Sequence, residues 1–377
     1  MKKVILVAGV LSGIAGVAQA QTNVTLYGVI DTTIRYTTNQ QVNPGCTANC
    51  VVGSQTALAQ GAFQGSRIGF KGEEDLGGGL AAVFKLENGF NGTNGALGQG
   101  GLLFGRQEFV GLKDKSWGEL DAGRQYGVAF DLLGNYDPLG IGNYDENEWA
   151  AFIYGFRFNN SLKYTKNWGP VTAEVQYAIG GQAGATSIGA TTGLSLAYTQ
   201  GPFSIGGVYQ QSKDANSNLL KVAGLGSSYV AGPATLYLQY FDAKRDPGFA
   251  TAASNSGGPL ANTSLLSNAG NTLQRKDGMW TAGVLFKATP AWTYTVAYMH
   301  DEVKNESSLG DSGKISTIYA IADYNLSKRT DIYFDIDHTT LRGGEVDDAN
   351  TIMGVAGAPL GGNTSRNGVA AGLRVKF

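Results

Sequence analysis

Between residues 129 and 153 the chain carries Asp131, Asp137, Asp145, Glu146 and Glu148 and no lysine or arginine. Carboxylates gathered in this way need cations supplied from another part of the fold, and Asp137-Pro138-Leu139-Gly140 in their midst is a turn that folds the segment back on itself. No catalytic residue is assigned. The two histidines, His300 and His338, share parity with outward apolar residues of their strands, and neither stands near a Ser or Asp motif that would make a nucleophile. Cys46 and Cys50 form a C-x3-C pair in an early polar segment; an oxidising compartment favours a small loop disulfide over two free thiols, and no second pair completes a zinc site. Glu345, Asp347 and Asp348 lack the spacing of a calcium loop and read as a solvated loop. No metal and no cofactor is implied.

The elements that position the acidic segment follow from a period of two. Val24, Leu26, Ile30, Ile34 and Tyr36 share one parity and Asp31, Thr33 and Arg35 the other, while Val369, Ala371, Leu373, Val375 and Phe377 alternate with Arg374 and Lys376. Tight turns are expected at 74–79, 116–118, 167–170, 200–202, 231–233, 289–291 and 325–329, with longer polar segments near 38–62, 91–101, 129–153, 181–189, 214–218, 246–274, 305–313 and 343–364. Seven turns and eight loops make fifteen connections and so sixteen strands. Trp168, Tyr198, Tyr240, Trp292, Tyr324 and Phe377 fall near the turns on the apolar parity, as an interfacial aromatic belt requires. The expected fold is all-β: a sixteen-stranded antiparallel transmembrane β-barrel, closed because hydrocarbon offers a strand edge no partner. The outward Phe377 would anchor the closing strand at the membrane interface.

Residues 1–20 stand apart. Lys2 and Lys3, an uncharged apolar run from Val4 to Val17 and Ala18-Gln19-Ala20 have the form of a cleaved signal peptide, which leaves 21–377 as a single barrel domain. Loss of the two lysines from 28 basic residues, against 30 acidic ones, takes the formal charge from −2 to −4. That balance supplies no basic field for nucleic acid. Only 15% of residues are charged and 56 are glycine, yet after the leader no apolar run is long enough for a membrane helix.

Val24-Thr25-Leu26-Tyr27-Gly28-Val29-Ile30-Asp31, the stretch from Ser66-Arg67-Ile68-Gly69-Phe70 to Gly79, Gly123-Arg124-Gln125-Tyr126, Leu326-Ser327-Lys328-Arg329-Thr330 and the terminal Phe377 resemble the general trimeric porins of Gram-negative bacteria, especially those of beta-proteobacteria. The likeness spans the chain. It implies a homotrimer in the cell outer membrane, in contact with lipid and lipopolysaccharide, that passes ions and small hydrophilic solutes by passive diffusion. It also implies that the third long loop folds into the barrel, and that Phe377 is part of the signal read by the barrel-assembly machinery.

The resemblance sets Arg67, Arg106 and Arg157 on the wall facing that loop. Parity supports Arg67, flanked by Ile68 and Phe70, and Arg157, flanked by Phe156 and Phe158, but does not orient Arg106. Arg35, Arg124 and Lys163 would extend the basic wall. Gln107-Glu108 departs from the small residues usual beside the arginine. Acid on the loop against arginine on the wall makes a transverse field that orients polar solutes and excludes apolar ones. The alternatives are a substrate-specific channel, which needs a binding track in the lumen, and a β-rich surface adhesin. The arginines favour anions while the loop acids and the formal charge of −4 favour cations, and the resemblance tilts the expectation slightly toward anions.

Overall fold

The computed structural model describes residues 23–42, 51–251, 258–346 and 363–377. The expected leader, Cys46, Cys50, Asp347 and Asp348 lie outside the described residues. Seventeen strand segments form one antiparallel sheet. They are β1 (Asn23–Gln41), β2 (Val52–Gln60), β3 (Arg67–Gly77), β4 (Leu80–Gly89), β5 (Gln107–Asp114), β6 (Gly118–Tyr126), β7 (Arg157–Trp168), β8 (Val171–Ala178) and β9 (Thr191–Gln200), followed by β10 (Phe203–Lys213), β11 (Leu219–Ala231), β12 (Ala234–Arg245), β13 (Arg275–Lys287), β14 (Trp292–Lys304), β15 (Ser312–Asn325), β16 (Thr330–Gly343) and β17 (Ser365–Lys376). From β3 to β17 each strand pairs with the next, β2 pairs with β1, and β1 pairs with β17 from Val29 opposite Lys376 to Thr37 opposite Gly368, which closes the barrel.

Seventeen segments make sixteen barrel strands. The upper part of β1 pairs with β2 and its lower part with β3, so β2 and β3 are two pieces of one strand interrupted at 61–66. The seven turns stand where the sequence puts them, but the first loop does not run from 38 to 62, because Val52–Gln60 is strand. Its polar sequence, VGSQTALAQ, hides a two-residue period. At the break Gly61 lies over the Asp31 carboxylate, where a Cβ would come within 1.8 Å of its carbon. Asp31 accepts hydrogen bonds from the Gln64 amide (3.0 Å) and the Tyr333 hydroxyl (2.6 Å), and that hydroxyl accepts from the Ala62 amide (2.8 Å). Side chains thus take over the ladder bonds that the interruption removes.

The barrel is apolar outside and polar inside. Asp31, Thr33, Arg35, Asp331, Asp335 and Arg374 are buried, while Leu26, Ile34, Leu225, Leu238, Phe334 and Leu373 are exposed. A charge on the lipid face costs about 2–4 kcal/mol at mid-membrane, which keeps each strand in this register. Trp168, Tyr198, Trp292 and Phe377 are exposed on the turn side, with Tyr324 packed on Trp292 at 4.7 Å. Tyr240 belongs to the other band: it stands nearer the loop end of β12, opposite Trp280, which packs edge-on to Tyr298 at 5.3 Å. At the closure the Phe377 amide donates to the Gly28 carbonyl (3.1 Å) and its carbonyl accepts from the Gly28 amide (2.9 Å), with the phenyl ring over Gly28.

Tyr333→Phe leaves the Ala62 amide and one Asp31 oxygen without a partner at the strand break. The expected loss is about 1–3 kcal/mol, read as a lower temperature for the heat-induced mobility shift of the folded barrel in gels.

Candidate functional site

The third loop carries two helices, α1 (Val128–Gly134) and α2 (Asp145–Tyr154). The barrel wall caps α1: the Val128 amide donates to Gln176 Oε1 (3.1 Å) and the Ala129 amide to Gln210 Oε1 (3.3 Å). Val128, Leu132, Leu133 and Tyr136 pack against inward residues that include Val208 and Val222. Close approach sets the composition of that wall. A Cβ at Gly226 would meet the Tyr136 ring at 2.2 Å and one at Gly193 would meet Val128 at 2.3 Å. At the start of α2 Asn147 Oδ1 accepts from the Tyr144 amide (3.0 Å), and its far end is held by Arg245 donating to the Ile153 carbonyl (3.1 Å). The tip docks in the strand break, where the Asn143 amide donates to the Ala62 carbonyl and Asn143 Nδ2 to the Gly61 carbonyl, both at 2.9 Å.

Facing the loop, Arg67 opens β3, Arg106 precedes β5 and Arg157 opens β7. Arg106 Nε lies 2.7 Å from Glu87 Oε1, and Arg106 Nη2 donates to the Tyr126 hydroxyl at 2.7 Å. Arg157 reaches the same hydroxyl at 3.3 Å and lies over the Tyr126 ring at 4.7 Å. Tyr27 donates to the other Glu87 oxygen at 2.8 Å. From α2, Glu148 borders the same cavity of about 480 Å³ as Arg106 and Arg157. Among the described residues no carboxylate lies within 4.0 Å of Arg67 or Arg157. Among the described side chains Glu87 stands beside Arg67 and Arg106, and Glu148 borders the cavity of Arg106 and Arg157, so these five groups carry one net positive charge.

The five acids do not act as one face. Asp131 pairs with Lys163 at 2.7 Å, which also removes Lys163 from the free basic wall. Asp137 is buried and turned into its own backbone, its Oδ1 accepting from the amides of Leu139 (2.8 Å) and Ile141 (3.1 Å). Glu148 alone of the described acidic side chains of the loop meets the arginines; the side chains of Asp145 and Glu146 lie outside the described residues. Arg35 pairs with Asp337 at 2.9 Å and stacks on Tyr144, and Glu345, far from being a solvated loop acid, is buried at 3.1 Å from Arg275.

Arg124 does not extend the wall either. It donates to the Gly105 carbonyl, Asn159 Oδ1 and the Asn262 carbonyl, and so carries part of the sixth loop. Residues 258–266 of that loop lie inside the mouth. Asn159 Nδ2 donates to the Gly258 and Ala261 carbonyls, and the Leu266 amide donates to the Phe152 carbonyl of α2 (2.9 Å). The parity argument for Arg157 fails although its inward placement holds. Phe156 and Phe158 are buried, because the wall bulges at Gly123 to Gln125 and Asn160 takes a positive φ. Glu87 and Tyr126 are the residues that sequence reasoning missed. Glu87 shares parity with Lys85 on a strand whose alternate positions hold Phe84 and Leu86, which was a readable sign of an inward acid.

Burial raises the Asp137 carboxyl to about 6, against the opposing pull of the backbone amides that bond it. The stability gained by protonating it is complete below the ordinary carboxylate value and is lost as pH rises through about 6. Open-channel noise from the third loop should therefore be lower at pH 5 than at pH 7.5. Asp137→Asn, which keeps the accepting oxygen, should abolish that pH dependence and leave ion selectivity unchanged.

The Gram-negative porin family model matches residues 6–344. An outer membrane porin protein of Bordetella pertussis is 37% identical over 269 residues, 64% of this chain and 69% of the relative. The outer membrane porin protein 32 of Delftia acidovorans is 35% identical over 265 residues, 66% and 72% of the two chains. Two solved barrels share the fold. The anion-selective porin from Comamonas acidovorans has a TM-score of 0.69 and 24% identity, covering 95% of this chain and 100% of its own; the Salmonella typhi OmpF complex with daunomycin has a TM-score of 0.64 and 18% identity, covering 94% and 97%. With a closed barrel, lipophilic outside and wet within, the chain belongs to the Gram-negative porin family, a family of channels and not of enzymes, and is an outer-membrane porin through which small hydrophilic solutes diffuse passively.

Proposed function

We propose that Arg67, Arg106 and Arg157, set against Glu87 and Glu148, are the selective section of the pore, and that this section passes anions in preference to cations. The carrying observation is the charge balance: three guanidiniums against two carboxylates, with Arg67 and Arg157 lacking a carboxylate within 4.0 Å among the described residues. Their cost of desolvation is recovered when an anion replaces water between them. An apolar solute gains nothing there. The Comamonas acidovorans barrel of the same fold is an anion-selective porin, which agrees with this reading.

The same reading takes the assembly as a homotrimer with one pore per subunit. Among the described residues β2 has strand partners on its β1 side only, and a barrel edge without a partner in the membrane plane needs cover that a second copy supplies. A Vibrio cholerae neighbour of the same fold is described as a trimer form. Phe377, whose ring and backbone close the barrel on Gly28, serves as interface anchor and as part of the assembly signal, while lipopolysaccharide and lipid contact the outer face.

In a planar bilayer the purified protein should insert in three equal ohmic steps, and a salt gradient should give a reversal potential of the anion-selective sign. Arg157→Gln should lower anion permeability by about fivefold, the effect of one charge at about 4 Å in water, and the anion-to-cation ratio by more than that. Glu148→Gln should raise it. A cation-selective wild type would overturn the assignment.

A further inference from the structure

Phenyl rings stand beside the arginines in the largely polar cavity next to the third loop, and nothing in the diffusion of ions uses them. Phe90, Phe152 and Phe156 border the same cavity of about 480 Å³ as Arg106, Arg157 and Glu148. Phe152 and Phe156 pack edge to face at 5.2 Å, and Phe130 continues the cluster at 5.4 Å from Phe156. The cations beside them are directed by their own contacts. Arg106 spends Nε on Glu87 and Nη2 on Tyr126, and Arg157 spends Nη2 on Tyr126 with its faces near Tyr126 and Phe156. Arg106 Nη1 and Arg157 Nη1 have no hydrogen-bond partner among the described residues.

We propose that this cavity is a binding subsite for small carboxylates that carry one aromatic ring; the proposal rests on the anion-passing reading above. The carboxylate sits at the two free guanidinium nitrogens, where charge-assisted bonds are strong, and the ring lies against the phenyl groups in edge or offset packing. Size is permissive, since the cavity exceeds one benzene ring and its substituent. Glu148 on the same cavity sets a limit on charge, because a second negative group on the solute would stand beside it. The channel then has a saturable preference among anions of equal charge, decided by the ring.

The test is chloride current through the full-length trimer in a planar bilayer with benzoate, acetate, cyclohexanecarboxylate or sulfate added on one side. Benzoate should reduce the current along a saturating curve, with a half-blocking concentration roughly tenfold below that of acetate, as one buried aromatic contact supplies. Cyclohexanecarboxylate should fall between them and sulfate should show no comparable block. In Phe152→Ala the advantage of benzoate over acetate should disappear, with Phe90→Ala carrying the same test if the first variant fails to show the heat-induced gel shift of a folded barrel. Equal block by benzoate and acetate in an anion-selective pore would overturn the subsite and leave the selectivity reading standing. A pore that excludes chloride would overturn both.

Discussion

A backbone amide or carbonyl in hydrocarbon must have a partner, and the barrel breaks its ladder at residues 61–66 only by replacing the lost bonds. Asp31, Ser66 and Tyr333 satisfy the amides there, and the carbonyls of Gly61 and Ala62 are left to accept from Asn143. The tip of the third loop is thus held by the place where the wall is incomplete. α2 follows the tip, and Glu148 follows α2 to the cavity that Arg106 and Arg157 line. An unbroken second strand would offer the loop no carbonyls at that height.

Two kinds of force hold the loop, and magnitudes separate their roles. Trp149, Ile153, Leu132 and Leu133 are almost wholly buried, and each such side chain contributes about 1.5–3 kcal/mol relative to exposure. The Lys163–Asp131 pair, with its lysine buried, sets Coulomb attraction against the cost of desolvating the charges and adds little net adhesion. Apolar packing against the glycine-lined wall therefore supplies the adhesion. Hydrogen bonds and the Arg245 contact to Ile153 fix where along the wall the loop rests, since each is directional and costly to leave unmade.

Most of the frame was legible because lipid imposes a period of two on every strand, and the short turns are marked by Gly, Pro, Asn or Ser. Counting those turns yields sixteen strands, and parity alone places Arg67 inward. What escapes a reading of the residues is whatever departs from the period. VGSQTALAQ is strand without an apolar face, Arg157 is inward across a bulge that breaks its parity, and Tyr240 lies on the aromatic band nearer the loops. Counting acids in the third loop overstates the acidic face, because a carboxylate that binds its own turn, as Asp137 does, looks the same in sequence as one that faces a cation. The inward fold of residues 258–266 has no local signal, for its partners Arg124, Asn159 and Phe152 are far away in the chain.

The central claim is that the third loop is seated in the strand break while the pore conducts. Cysteines at Ala62 and Asn143, in a chain with Cys46 and Cys50 replaced by serine, test it directly through the single-channel conductance before and after reduction. Seated as described, the pair should bond spontaneously and the conductance should be the same with the bond closed or opened. Failure of the pair to bond in folded barrels, or a large rise in conductance when the bond is reduced, would contradict the account.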